Sequence, residues 1–378
     1  TSGIVKSHLC VGRRIRVVPC RFTGRARSWT RIYLLSVLAT MNPRAFIRSL
    51  VAAFAILTVA TYVLILLIDP YGNVPFSLVL DRAPISTNQR FSYPSVARDP
   101  AFNSVIIGSS TLRLLDPDNL NQRLDAKFAN LAMNSATAYE QMKIYDLFMR
   151  HHLETKFTVI GIDDSWCKRE AAFVKYTFRK FPEWMYDDSR WNDLLYLYND
   201  KSLENAVRLL EYLHGIREPK YQKNGFRDFT LDFGNYNRDV VRKRLYPKGI
   251  SETVLPGAMK PSSDHPTWRF ASHFLLEAAL AKHAERSTQT VLVFVPMHGA
   301  YLAKSADVYS ECKSRMLQVA SRSNSRVIDF MINSTITAND DNYWDPLHFK
   351  SEMARIVEGD IAHELLESGP HSRRYRIY

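Results

Sequence analysis

Twenty consecutive residues, 49–68, carry no charge: SLVAAFAILTVATYVLILLI. As a helix rising about 1.5 Å per residue, such a run spans about 30 Å, the hydrocarbon thickness of a bilayer. Arg44 and Arg48 precede it and Asp69-Pro70 ends it. The positive-inside rule then puts the amino terminus in the cytoplasm and everything after Asp69 outside. A cleaved signal peptide is the rival reading, but its apolar region is usually shorter, and no clear A-x-A site follows this run. A buried core helix is the third. The run is therefore expected to be an uncleaved anchor, a transmembrane helix at about 49–68 within an N-terminal segment 41–68.

The net charge of +12 resembles a nucleic-acid signal until it is located. Ten of the 50 Lys and Arg residues lie in positions 1–48, where there is no Asp or Glu, leaving 40 basic against 38 acidic residues. The bulk of the chain is nearly neutral, so nucleic acid is discounted as a partner. Residues 1–40 are Arg-rich and show no periodicity, and Met41-Asn-Pro-Arg44 reads as a natural start for a membrane protein. Residues 1–40 are accordingly read as a basic upstream extension of doubtful standing, with an organellar targeting peptide as the alternative. Cys10 and Cys20 lie in that stretch. Cys167 and Cys312 lie in the exported part, where a disulfide is allowed and buried thiols are equally compatible. No spacing suggests a metal site, and no cofactor motif is visible.

After the anchor, residues 69–100 contain Pro, Asn and Arg with little periodicity and read as a linker. Strands are then expected at 104–107, 127–133, 157–162, 290–295 and 326–330. Helices are expected near 120–124 and at 139–153, 268–284, 300–321 and 351–366. This alternation implies an α/β domain over 101–367 with a mainly parallel sheet and helices on both faces. Residues 165–265 break the rhythm as an aromatic-rich insertion. It holds a helix capped by Ser202 and running to His214, and a turn at Asn224-Gly225. An insertion of this length often has its own structure and acts as a lid. Its aromatic side chains either stack on sugar rings or form the core of a helical insertion. Residues 368–378 read as a basic tail.

Two short blocks carry chemistry. Gly108-Ser-Ser110 follows the first strand, at the carboxyl end where α/β sheets place reacting groups. Trp344-Asp-Pro-Leu-His-Phe349 offers a carboxylate and an imidazole three residues apart, just ahead of the last helix. A histidine oriented by an acceptor is the base a serine nucleophile needs. Each block alone also has a plain structural reading, as a strand-ending turn and a helix cap. Arg113 could bind an anionic substrate group or form a structural ion pair. His298, after the fourth strand, could line the pocket.

With Asn130-Leu-Ala-Met-Asn-Ser-Ala-Thr137 and Gly161-Ile-Asp-Asp164, these blocks resemble the SGNH (GDSL-like) hydrolase and acyltransferase superfamily over roughly residues 100–367. Within it the likeness is to the membrane-anchored polysaccharide O-acyltransferase-like branch. The resemblance implies a flavodoxin-like three-layer fold and a catalytic set of Ser110, His348 and Asp345. It implies an oxyanion hole from the N–H groups of Ser110 and Ser135 with residue 163 as side-chain donor. Three positions depart from the pattern: Ser109 replaces an Asp, Ser135 a Gly, and Asp163 an Asn. An ionised carboxylate accepts hydrogen bonds and cannot donate them, so Asp163 either points away or is held neutral by burial. The expected function is that of an extracytoplasmic serine esterase or O-acyltransferase on acyl, chiefly acetyl, esters of cell-envelope or secreted polysaccharide. Its partners would be the acyl-ester or polysaccharide substrate, the membrane and a membrane acyl-donor protein. The alternatives are a plain envelope lipase or esterase, and a non-catalytic carbohydrate-binding or scaffold protein on the same fold.

Overall fold

A computed structural model describes residues 42–76, 82–247, 260–366 and 375–378. Residues 1–40, with Cys10 and Cys20, lie outside the described residues. The chain divides into two compact units, Thr1–Ala60 and Thr61–Tyr378. The described part of the first is helical from Pro43 onward, with apolar side chains exposed. The helix it begins, α1, runs Pro43–Ile68 and is long and apolar enough to cross a membrane by length and composition.

The second unit is built in chain order from α2 (Gln89–Arg98), β1 (Ser104–Ile107), α3 (Pro117–Leu124), β2 (Phe128–Asn130) and α4 (Ala138–His151). Next come β3 (Phe157–Ile162), α5 (Asp200–Leu213), α6 (Arg238–Leu245), α7 (Ser272–Lys282) and β4 (Gln289–Phe294). The short α8 (Gly299–Leu302), α9 (Ala306–Arg322), β5 (Arg326–Asp329), α10 (Ser351–Leu366) and β6 (Arg376–Ile377) complete it. The sheet order is β2-β1-β3-β4-β5-β6, parallel from β2 to β5 and antiparallel only at β6.

Parallel strands joined by helices must bury both faces of the sheet. Val105, Ile107, Ile160, Leu292 and Phe294 enter one core with apolar residues of α2, α4, α7 and α9. Ile106, Val159, Val291 and Val293 enter a second with residues of α3 and α10. This strict alternation is the period-two geometry of a strand. Strand order reverses between β1 and β3, so their carboxyl-end loops diverge and leave a crevice.

Four expectations need correcting. Residues 69–100 are not merely a linker. Asp69 accepts from the N–H groups of Asn73 and Val74, and α2 is buried in the core through Tyr93, Val96 and Ala97. Asn199, not Ser202, caps α5, its side chain accepting from Ser202 N at 2.8 Å. The expected 300–321 helix breaks into α8, a single turn and α9. The far end of the 368–378 tail forms β6, with Tyr375 buried beside it; residues 368–374 lie outside the described residues.

The described part of the insertion consists of α5, α6 and three 3-10 turns at Glu183–Tyr186, Asn192–Tyr196 and Phe229–Phe233; residues 248–259 fall outside it. Trp166 and Tyr186 are core, whereas Tyr176, Phe178, Trp191, Tyr196 and Tyr198 are exposed. The expected turn at Asn224-Gly225 forms against the sheet edge. Asn130 N donates to Asn224 O at 2.8 Å, and Gly225 has φ +83. A Cβ at Gly225 would stand 2.3 Å from Asn130 O, so only glycine fits there.

Candidate active site

β1 ends at Ile107, and the chain turns at once into a 3-10 turn over Ser110–Leu112, capped by Ser109. Two contacts fix that turn. Asn130 Nδ2, fully buried, donates to the carbonyls of Leu112 at 3.1 Å and Leu115 at 2.7 Å. Leu112 packs onto β3 at Gly161, where a Cβ would come within 2.2 Å of it. Ser110 is left half-buried above the sheet edge.

His348 arrives on a loop closed by the Tyr343–Phe349 bridge and by Trp344 N donating to His348 O at 2.8 Å. Asp345 organises the loop, its Oδ1 accepting from Leu347 N and His348 N. His348 Nδ1 lies 2.8 Å from Asp345 Oδ2, and His348 Nε2 lies 2.8 Å from Ser110 Oγ. Serine, imidazole and carboxylate from opposite ends of the domain are thus in one hydrogen-bonded line. Burial alone pushes the Asp345 carboxyl up, but the His348 hydrogen bond and charge and the two backbone N–H groups outweigh it. The carboxyl lies below its ordinary value.

Asp163 is buried at the end of β3 with its oxygens engaged. Ser109 Oγ and Thr111 Oγ1 donate to Oδ2, and Ser165 N and Oγ donate to Oδ1. Both oxygens accept hydrogen bonds. Asp163 therefore braces the turn that carries Ser110, and it is Ser109 that meets it.

Ser135 has φ +53, the left-handed region that favours glycine. β2 continues past its end along β1, with Leu131 N donating to Ile106 O and Met133 N to Gly108 O. Residues 134–135 are thereby brought beside 109–110. Arg90, fully buried and paired with Glu140, donates to Asn134 O at 3.1 Å. A trans peptide sets its N–H opposite its carbonyl, so the Ser135 N–H points away from Arg90. Among the described residues no acceptor takes it.

Arg113 is buried, with Nη1 2.6 Å from Asn134 Oδ1 and its guanidinium 4.8 Å over the Phe229 ring. It forms no ion pair among the described residues. Phe229 in turn meets the His348 ring edge-on at 5.8 Å, so the insertion reaches the hydrogen-bonded line. His298 is not open to the crevice. It is 2% exposed, its Nδ1 accepts from Ala300 N as the cap of α8, and its backbone N–H donates to Pro346 O. Burial holds its pKa below the ordinary imidazole range, with nearby Asp340 opposing. It supports the His348 loop from behind.

Arg90, Glu140, Asn134 and Phe229 escape a reading of the sequence. Thr137-Ala-Tyr-Glu140 has capping-box spacing, and the box forms. Nothing in the sequence pairs Glu140 with Arg90, fifty residues earlier. Among the described residues no group of three His, Cys, Asp or Glu side chains could hold a metal ion. A scan against protein-family models finds no match, and a search of curated proteins finds none.

Proposed function

We propose that this chain is a membrane-anchored extracytoplasmic serine esterase or O-acyltransferase of the SGNH type. The observation that carries the reading is the line Asp345–His348–Ser110, with both imidazole nitrogens engaged at 2.8 Å. Ser110 Oγ attacks an ester carbonyl while His348 Nε2 takes its proton, and Asp345 holds the Nδ1–H tautomer. The N–H groups of Ser110 and Ser135 face the developing oxyanion. The tetrahedral adduct collapses, His348 returns the proton to the departing alkoxide, and an acyl-serine remains. His348 then deprotonates water or a sugar hydroxyl, which attacks the acyl carbon; the acyl–Oγ bond breaks and His348 returns the proton to Ser110 Oγ.

The finer fold reading, a flavodoxin-like three-layer SGNH domain, is supported by the strand order and the two cores. It is supported also by the reacting groups flanking the β1/β3 crevice. Export is supported by the Cys167–Cys312 disulfide, a bond that persists in oxidising compartments. An anchored position favours transfer onto envelope or secreted polysaccharide, fed by a membrane acyl-donor protein, over free hydrolysis. Arg113, a buried cation without a carboxylate partner among the described residues, favours an acceptor that carries an anionic group.

A non-catalytic scaffold would need no engaged base at Ser110. The test is a fluorophosphonate probe on the full chain, followed by mapping of the label. Labelling at Ser110, lost in Ser110→Ala and in His348→Ala, is expected. An unlabelled wild type in a folded, membrane-inserted preparation would favour the scaffold.

A further inference from the structure

The last two turns of α1 are packed on one side. Ile65 is buried in the large core, and Ile68 in a small cluster with Ile85, Ala206 and Leu209. One turn earlier, Tyr62 donates its hydroxyl proton to Leu194 O at 2.7 Å, and its ring meets Tyr198 edge-on at 5.7 Å. Val63, Leu64 and Leu67 remain exposed.

Beside this junction the second unit leaves a cluster of large apolar side chains uncovered. Trp191, Leu195, Tyr196 and Tyr198 are 64%, 80%, 54% and 49% exposed, on and around the Asn192–Tyr196 turn. Phe76, also exposed, lies 5.7 Å from the Trp191 ring. Contiguous exposed apolar patches mark interaction surfaces. Tryptophan and tyrosine, apolar rings with a polar handle, are the residues that gather at membrane interfaces.

Depth along α1 selects the occupant. Tyr62 lies six residues before Ile68, about 9 Å along the helix. With Ile68 at the outer end of the span, the side chains touching Tyr62 reach below that end by about the 5–10 Å to which interfacial apolar groups enter the acyl boundary. The Leu194 carbonyl takes both the Tyr62 hydroxyl and Leu197 N, so it is satisfied without water, as a poorly hydrated layer requires.

The geometry points to a membrane seat: Trp191, Leu195, Tyr196, Tyr198 and Phe76 enter the outer interface of the bilayer that α1 crosses. The domain then rests on the lipid and does not swing on a tether, so Ser110 works at a fixed height on substrates held near the surface. This rests on the reading of α1 as a spanning helix.

The test uses the full chain in liposomes, with Cys10 and Cys20 replaced by serine and an environment-sensitive dye attached through Leu195→Cys. A second preparation carries the dye through Phe274→Cys, an exposed site outside the patch. Both positions are exposed, so neither substitution endangers the fold. Dye at position 195 should shift its emission to the blue and be quenched severalfold more by lipids brominated near the headgroup than dye at 274. Resistance to alkaline carbonate extraction reports the span independently. A chain that resists extraction but is unquenched at 195 overturns the seat and leaves the span standing. A blue shift without lipid quenching overturns the seat in favour of a second copy or another protein on the patch. Release by carbonate overturns the span and the seat together.

Discussion

Ser109 donates its hydroxyl proton to Asp163, joining the carboxyl ends of adjacent strands β1 and β3 directly beneath the turn that carries Ser110. Two of the three positions that differ from the pattern of the resembled family are thus partners. Asp163 also takes Thr111 Oγ1 and both donors of Ser165. Asp163→Asn replaces one accepting oxygen by an amide that must donate into this cluster. Hydrogen bonds to charged groups contribute about 1.5–3 kcal/mol each, so a loss of roughly 2 kcal/mol in urea unfolding is expected, with turnover unchanged or lower. A rise in turnover would mean that the carboxylate faces the oxyanion after all.

Ser135 holds a backbone conformation that glycine adopts without strain. Ser135→Gly should keep activity and change stability by under about 1 kcal/mol, since relief of strain is offset by a freer unfolded chain. Ser135→Val should lower kcat by about 10²–10³, the worth of one oxyanion donor, because a β-branched residue will not hold φ near +53. Equal kcat in both variants would remove the Ser135 N–H from the oxyanion site.

The disulfide Cys167–Cys312 closes a separation of 145 residues and ties the turn after β3 to α9. That turn starts at Asp163, and the Tyr301 and Tyr309 hydroxyls on the same side donate to Asp164. Replacing both cysteines by serine should cost about 2–5 kcal/mol, read as a lower Tm under non-reducing conditions. Reductant should lower wild-type Tm toward the same value, and a Tm insensitive to both changes would refute a structural bond.

Much of this architecture is legible in the sequence because its signals are local. The β-branched runs at 104–107 and 157–162 and the Asp-Pro-Leu-His block each announce themselves within a few residues. The terms that failed to show are long-range. Residues 69–100 look irregular because α2 is only ten residues long, contains Pro94 and owes its place to Arg90 reaching Glu140. Asp163 looks misplaced in an oxyanion hole because its partner, Ser109, lies 54 residues away in the chain. His298 looks like a pocket residue by position, and only the fold turns it inward as a cap.

Asp345 sets an acid limit on the site. Its folded pKa is below its ordinary value, so its contribution to stability is present above the ordinary carboxylate pKa of about 4 and is lost as pH falls through the folded value. Wild-type Tm should therefore fall more steeply below about pH 4 than that of Asp345→Asn, which has no such carboxylate to protonate. Parallel Tm profiles for the two chains would show that His348 does not hold Asp345 ionised.

The proposed enzyme depends most on Ser110. Its hydroxyl is aligned with His348 Nε2, while neighbouring Ser109 spends its proton on Asp163. Ser110→Ala should abolish probe labelling and lower hydrolysis of p-nitrophenyl acetate by roughly 10⁴–10⁶, with Tm within a degree or two of wild type. His348→Ala should approach the same loss, since an unassisted serine hydroxyl is a poor nucleophile near neutral pH. Losses in the single variants and in the Ser110/His348 double variant should not add, because the two groups act as a unit. Ser109→Ala should instead reduce stability, retain labelling and lower the rate modestly, by loosening the turn. Measuring acetyl-ester hydrolysis beside polysaccharide O-acyl content in cells separates transfer to water from transfer to sugar. A Ser110→Ala chain that equals wild type in both assays would leave the serine without a chemical role and return the domain to binding.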